Sequence, residues 1–166
     1  MQKVNSSSNK YYISVRTNIT TFVTKQTLYT MRAAKDILQQ KGTQFNCVNR
    51  KANVLYAIGV MKAENISYLI VKDDDDNYLG IFSERDYTHK VVLEGKQSAN
   101  TTVSEIMTTD LANASLDDST SKLMLLINNS KARYIPVFDG KHFVGIITIH
   151  DLMREAMADY EKANRI

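Results

Sequence analysis

Apolar positions recur along the chain at two spacings, and the switches between them mark out its elements. From Met31 onward, Met31, Ala34, Ile37 and Leu38 fall at helical spacing, and Gly42 follows Gln39-Gln40-Lys41 as a C-cap would. This predicts a short amphipathic helix that covers an edge or face of the neighbouring folded unit. Residues 54–61 and 120–127 carry the same period and predict helices over about 54–64 and 120–129. Strands are predicted at residues 45–48 and 111–114, at 67–71 and 133–137, and in the segments ending Gly80-Ile81-Phe82-Ser83 and Gly145-Ile146-Ile147-Thr148. Residues 73–77 and the pair Asp139-Gly140 supply the turns between them, the latter a strong hairpin signal. A helix from Ser83 is expected to run through 87–94, with Val91 and Val92 on its apolar side and Gly95 stopping it. A final helix places Leu152, Met153, Ala156, Met157 and Tyr160 on one side.

These elements repeat. Ser67-Tyr68-Leu69-Ile70-Val71 is echoed by Arg133-Tyr134-Ile135-Pro136-Val137 at an offset of 66, and Gly80 through Asp86 by Gly145 through Asp151 at 65. The order β-α-β-β-α occurs twice, and the one-residue difference falls in the turn. A unit of roughly 60 residues with one small sheet does not bury both sheet faces alone. The expected fold is therefore α/β (α+β): two pseudo-symmetric β-α-β-β-α repeats packed sheet to sheet, with a short N-terminal helix. The expected division is a leader over 1–30, the helix in 31–43, repeat 1 over 44–106, and repeat 2 with the C-terminal helix over 107–166.

The apolar helix, the Ile/Leu-Pro-Val strand, the turn and the Gly-hydrophobic-hydrophobic-Ser/Thr-x-x-Asp segment together resemble the CBS (cystathionine beta-synthase) domain, and two in tandem resemble a Bateman module. The resemblance covers about residues 44–158, and the linking segment 83–108 is similar to standalone bacterial CBS-pair proteins. One departure is Ile70, where repeat 2 has the family's Pro136.

In each repeat a strand leads into Ser83 or Thr148, whose third following residue is Asp86 or Asp151. At a helix start this is a capping box that satisfies the helix's own N–H groups. The same residues offer donors to an anion and a carboxylate to vicinal ribose hydroxyls, and both roles can coexist. The resemblance implies adenosine ligands in two clefts between the repeats, Ser83 and Asp86 serving one, Thr148 and Asp151 the other. It also implies adenine against the strands, with Asn46, Val48, Ala112, Tyr134, Ile135 and Pro136 as contacts. Phosphate requires cations, and Arg133, Arg85, His150 and Lys131 are the candidates. Arg133 is the best of them by the resemblance, and its counterpart in repeat 1 is the uncharged Ser67, so one good nucleotide site and one weaker or structural cleft are expected.

Composition sharpens this. The 166 residues are 43% hydrophobic and 23% charged, in the globular range, and the single Cys47 excludes an internal disulfide framework. The net charge of +3 is uneven: residues 1–35 hold six basic side chains and no acid, which leaves the rest at −3. The basic charge therefore does not point to nucleic acid as partner of the folded part, and no membrane is expected because the longest apolar stretch, residues 143–149, is too short to cross a bilayer. The leader reads as a tail, a misplaced start before Met31, or a transit peptide. A cytoplasmic location is expected, or an organelle matrix if it is the last.

Asp73, Asp75, Asn77 and Glu84 match part of a calcium-loop pattern, but Tyr78 stands where the loop requires Gly and the segment reads as a strand. His89, His142, His150 and Cys47 show no metal-ligand spacing. No nucleophile, base and orienting group can be assembled from spacing, so neither an enzyme nor a required cofactor is expected. The leading expectation is a regulatory sensor of AMP, ADP or ATP, with SAM or NAD as alternative ligands. It would act through a homodimer and a downstream protein partner. An interaction protein with unoccupied clefts is the competing class.

Overall fold

Residues 32–42 and 45–164 are described by the computed structural model; the leader over 1–30 lies outside them. Repeat 1 runs β1 (Cys47–Asn49), α2 (Val54–Ala63), β2 (Tyr68–Lys72), β3 (Tyr78–Ser83) and α3 (Glu84–Tyr87), and it is preceded by α1 (Ala34–Lys41). Repeat 2 is preceded by α4 (Val103–Ile106) and runs β4 (Ala114–Ser115), α5 (Thr120–Ser130), β5 (Tyr134–Asp139), β6 (His142–Thr148) and α6 (Ile149–Ala163). Each sheet has three strands, the first parallel to the second and the second antiparallel to the third.

Side-chain alternation buries both faces of each sheet. Leu69, Val71 and Phe82 pack with Val54, Ala57 and Met61 beneath the helices of repeat 1, and Ile135, Val137 and Ile147 pack with Leu123 and Leu152 in repeat 2. The intervening residues Ile70, Ile81 and Ile146 meet between the sheets with Phe45, Tyr78 and Phe143. There the Tyr78 and Phe143 rings stack at 4.4 Å. The sheet-to-sheet arrangement follows from strands that are apolar on both sides, which a solvated antiparallel sheet would not be.

The helix that precedes each repeat packs on the other one. Ala34, Ile37 and Leu38 of α1 belong to the core of repeat 2, while Val103 and Ile106 of α4 belong to that of repeat 1. The backbone repeats this exchange. Ala34 and Lys35 N–H donate to Asp118 O and Leu116 O, as Val103 and Ser104 N–H donate to Ala52 O and Arg50 O. Arg32 adds a half-buried anchor, with its guanidinium 2.7 Å from an oxygen of the buried Glu155.

Three boundaries differ from the sequence expectation. The first strands are shorter and later, at Cys47–Asn49 and Ala114–Ser115 rather than 45–48 and 111–114. The β4 ladder also starts one residue later than that of β1, because Pro136, which stands opposite Asn113, lacks the N–H that its counterpart Ile70 donates to Asn46 O at 3.0 Å. The helix expected over 83–94 is α-helical only through Tyr87 and continues as a π-helical turn, Thr88–Val92. That shift of register keeps Val91 buried and turns Val92 outward, 54% exposed. The side predicted for the last helix also divides, with Leu152 inward and Met153, Met157 and Tyr160 outward.

Candidate ligand clefts

Two clefts open between the repeats. Cleft 1, about 320 Å³, is bounded by Ser83, Asp86, Arg85, His89 and Lys90 of repeat 1, by Thr108, Asp110, Leu111 and Ala112 of the stretch between α4 and β4, and by Lys131, Arg133 and Tyr134 of repeat 2. Cleft 2, about 570 Å³, is bounded by Thr148, His150 and Arg154, by Ser67 and Tyr68, by Arg133 and Tyr134, and by Lys41 at the end of α1. Arg133 and Tyr134 lie on the wall of both. The Tyr134 ring packs against Tyr68 with centroids 4.5 Å apart, and its hydroxyl is 3.3 Å from Ser67 Oγ. Burial, with Asp151 nearby, pushes the Tyr68 phenol up to about 12.

Both Ser/Thr-x-x-Asp motifs form complete capping boxes. Asp86 Oδ2 accepts from Ser83 N–H at 3.0 Å and from Ser83 Oγ at 2.6 Å; Asp151 Oδ2 accepts from Thr148 N–H and Oγ1, both at 2.8 Å. The remaining partners differ. Asp86 Oδ1 is held by Thr108 Oγ1 at 2.6 Å and by Lys90, one turn along, at 2.8 Å. Asp151 is held by Arg154 at 2.7 Å and by Lys41, from 110 residues upstream, at 2.8 Å. Burial pushes both carboxyls up, and the hydrogen bonds outweigh it: from Lys90, Ser83 and Thr108 for Asp86, and from Lys41 and Thr148 for Asp151. Both groups lie below the ordinary carboxylate value.

The clefts therefore differ in which groups face the space. Asp86 lines cleft 1, whereas Asp151 lines a neighbouring crevice of about 50 Å³ that it shares with Lys41 and Arg154, although the two carboxylates are equally buried. Arg85, Lys131 and Arg133 around cleft 1 make no ion pair or side-chain hydrogen bond among the described residues, and Glu84 and Asp110 also face it. In cleft 2, Lys41 and Arg154 are already paired to Asp151.

Of the residues singled out from sequence, Ser83, Asp86, Arg85, Arg133, Tyr134 and Ala112 come together at cleft 1, with Lys131; Thr148 and His150 come to cleft 2, which shares Arg133 and Tyr134. Val48 and Ile135 do not reach either cleft: each points to the helix side of its sheet and is buried in its own repeat's core. Pro136 is buried within β5, and Asn46 is exposed and lines neither cleft. Lys90, Arg154, Thr108 and Lys41 escaped sequence reasoning. The i+4 spacing of Lys90 from Asp86 and the i+3 spacing of Arg154 from Asp151 were readable signals; Thr108 and Lys41 arrive through tertiary packing and carry none. The acidic turn after β2 closes on itself, with Asp73 Oδ1 accepting from the N–H groups of Asp75 and Asn77.

Comparison with known proteins agrees with this architecture. A family model described as CBS domain matches residues 34–92 and 103–158. A mitochondrial CBS-domain-containing protein of Arabidopsis thaliana is 30% identical over 110 residues, 64% of this chain and 53% of that protein, so the chain spans about half of that relative's length. Among solved structures, a CBS-domain protein from Burkholderia ambifaria is 35% identical with a TM-score of 0.71, over 76% of this chain and 95% of that one. Another, from Agrobacterium tumefaciens, is 30% identical with a TM-score of 0.71, over 78% and 97%.

Proposed function

Because the chain belongs to the CBS-domain family and carries two such domains in tandem, we propose that it is a regulatory module whose cleft 1 takes an adenosine nucleotide: AMP, ADP or ATP. Standalone CBS pairs are typically regulatory rather than catalytic. The observation that carries the reading is that cleft 1 combines the Ser83–Asp86 pair with three cations, Arg85, Lys131 and Arg133, that need break no existing ion pair to meet a phosphate. Leu111 and Ala112 give it an apolar wall, and Pro136 leaves the Ala112 carbonyl outside the strand ladder as an acceptor for a base. Cleft 2 is the weaker site: Lys41 and Arg154 on its wall are already paired to Asp151, and Ser67, the counterpart of Arg133, adds no charge.

Occupancy of a cleft walled by both repeats shifts the geometry of the pair, and the signal passes to a second copy and a protein partner. SAM and NAD share the adenosine portion and are the alternative ligands. No helix among the described residues is long and apolar enough to cross a membrane; the name of the plant relative makes a mitochondrial matrix an alternative to the cytoplasm.

A second reading, an interaction protein with unoccupied clefts, is favoured by one observation: all of the Asp86 hydrogen-bonding capacity is taken up within the fold. Thermal shift of the full chain against adenosine, AMP, ADP, ATP, SAM and NAD separates the two. Stabilisation by a phosphorylated adenosine supports the sensor, and none by any compound supports the second reading.

A further inference from the structure

The repeats solve one local problem in two different ways. In repeat 1 the Thr108 backbone bridges to Ile81, its N–H donating to Ile81 O at 2.8 Å, and the Thr108 hydroxyl reaches Asp86 at 2.6 Å. In repeat 2 both tasks at the equivalent positions fall to one side chain: Lys41 Nζ donates to Ile146 O at 3.0 Å and to Asp151 Oδ2 at 2.8 Å. A backbone bridge is fixed, whereas an ammonium on a four-carbon stem can swing away. Lys41 also lies on the wall of both cleft 2 and the small crevice that holds Asp151, and it stands with Arg154 and Thr148 among the side chains that bond Asp151 and face the cleft.

Resting on the nucleotide reading above, we propose that Lys41 is the gate residue of cleft 2: its ammonium keeps the Asp151 carboxylate out of the cleft, and a ligand binds there only by displacing it. Arg154 is no equal obstacle, because it is largely exposed and makes one contact to Asp151. Displacement also frees the end of α1 from repeat 2, since Lys41 is its last helical residue and the next N–H, that of Gly42, turns back to Leu38 O. Cleft 2 thus reports on nucleotide only at concentrations well above those that fill cleft 1, and its occupancy is read at α1.

Titration calorimetry of the full chain with ADP tests this. The wild type is expected to bind one ADP tightly, and Lys41→Ala to bind a second with affinity raised about tenfold, the equivalent of about 1.4 kcal/mol. Lys41→Arg, which keeps the ion pair, and Lys35→Ala, which breaks only the exposed pair between α1 and Asp117, are expected to behave as wild type. If alanine unfolds the chain, Lys41→Gln serves in its place. In the wild type, excess ADP is expected to raise hydrogen exchange across α1, which a purely structural lysine would not do. A Lys41 variant that still binds one ADP, or binds it more weakly, overturns the gate. No ADP binding by wild type or variant defeats the nucleotide reading itself, and the gate with it.

Discussion

Arg32 sets one guanidinium nitrogen 2.9 and 2.7 Å from the two carboxylate oxygens of Glu155, a residue of α6 that is 6% exposed. Glu155 owes its tolerance of burial to that partner, because an uncompensated buried carboxylate is strongly destabilising. Arg32→Ala is expected to cost about 2–3 kcal/mol in urea unfolding. The double variant Arg32→Ala, Glu155→Leu should recover part of it, since the stranded charge is then gone. Equal instability of single and double variants would contradict this account of the pair.

Asp86 and Asp151 link stability to pH. Both carboxyls lie below their ordinary value in the fold, so their contribution is present above the unfolded value of about 4 and is lost as pH falls through the depressed folded values. Urea midpoints are expected to hold level from pH 7 to 5 and to drop below about 4, less steeply in Asp86→Asn. A main loss between pH 7 and 5 would assign the dependence to other groups.

Gly80 and Gly145 occupy matched positions but are confined by different atoms. A Cβ on Gly80 would stand 2.5 Å from the Thr108 backbone oxygen, while one on Gly145 would meet side-chain atoms of Phe45 and Leu38 at 2.8 and 2.9 Å. Side chains can shift and the bridged backbone cannot, so Gly80→Ala is expected to cost about 2–3 kcal/mol and Gly145→Ala about 1. The reverse order in thermal denaturation would show the Thr108 bridge to be pliable.

The helical segments that close each repeat leave apolar side chains in solvent: Val92 and Leu93 after repeat 1, and Met153, Met157 and Tyr160 on α6. Faces of this kind mark contact surfaces, and a second copy of the chain is the expected occupant. Sedimentation at micromolar concentration should give a dimer, and Met157→Lys should shift it toward monomer. A monomeric wild type would contradict the expectation.

Much of the fold was legible in the sequence because periodicity reports burial. Val54, Ala57 and Met61 recur at helical spacing and are all inward. The Gly-x-x-Ser/Thr-x-x-Asp segments located both capping boxes, since their chemistry is local. What stayed hidden depends on distant partners. Where the β1 and β4 ladders begin turns on whether Ile70 or Pro136 has an N–H to give, and the π turn at Thr88–Val92 has no signature in its residues. The exchange of α1 and α4 between repeats, and with it Lys41 at Asp151, is set by tertiary packing; Val48 and Ile135 lie on the helix side of their sheets rather than at the clefts, which the sequence does not reveal because a strand's two faces look alike when both are apolar.

Arg133 offers the most direct measurement. It is exposed, is free of ion pairs among the described residues, and stands on the walls of both clefts, so its removal changes the ligand site without disturbing the core. Calorimetry should compare ADP with adenosine on wild type and Arg133→Ala. Wild type is expected to prefer ADP by tenfold or more, about 1.4 kcal/mol, and the variant to lose most of that preference while still binding adenosine. An absence of binding heat in wild type, or an ADP preference untouched by the substitution, would contradict this expectation.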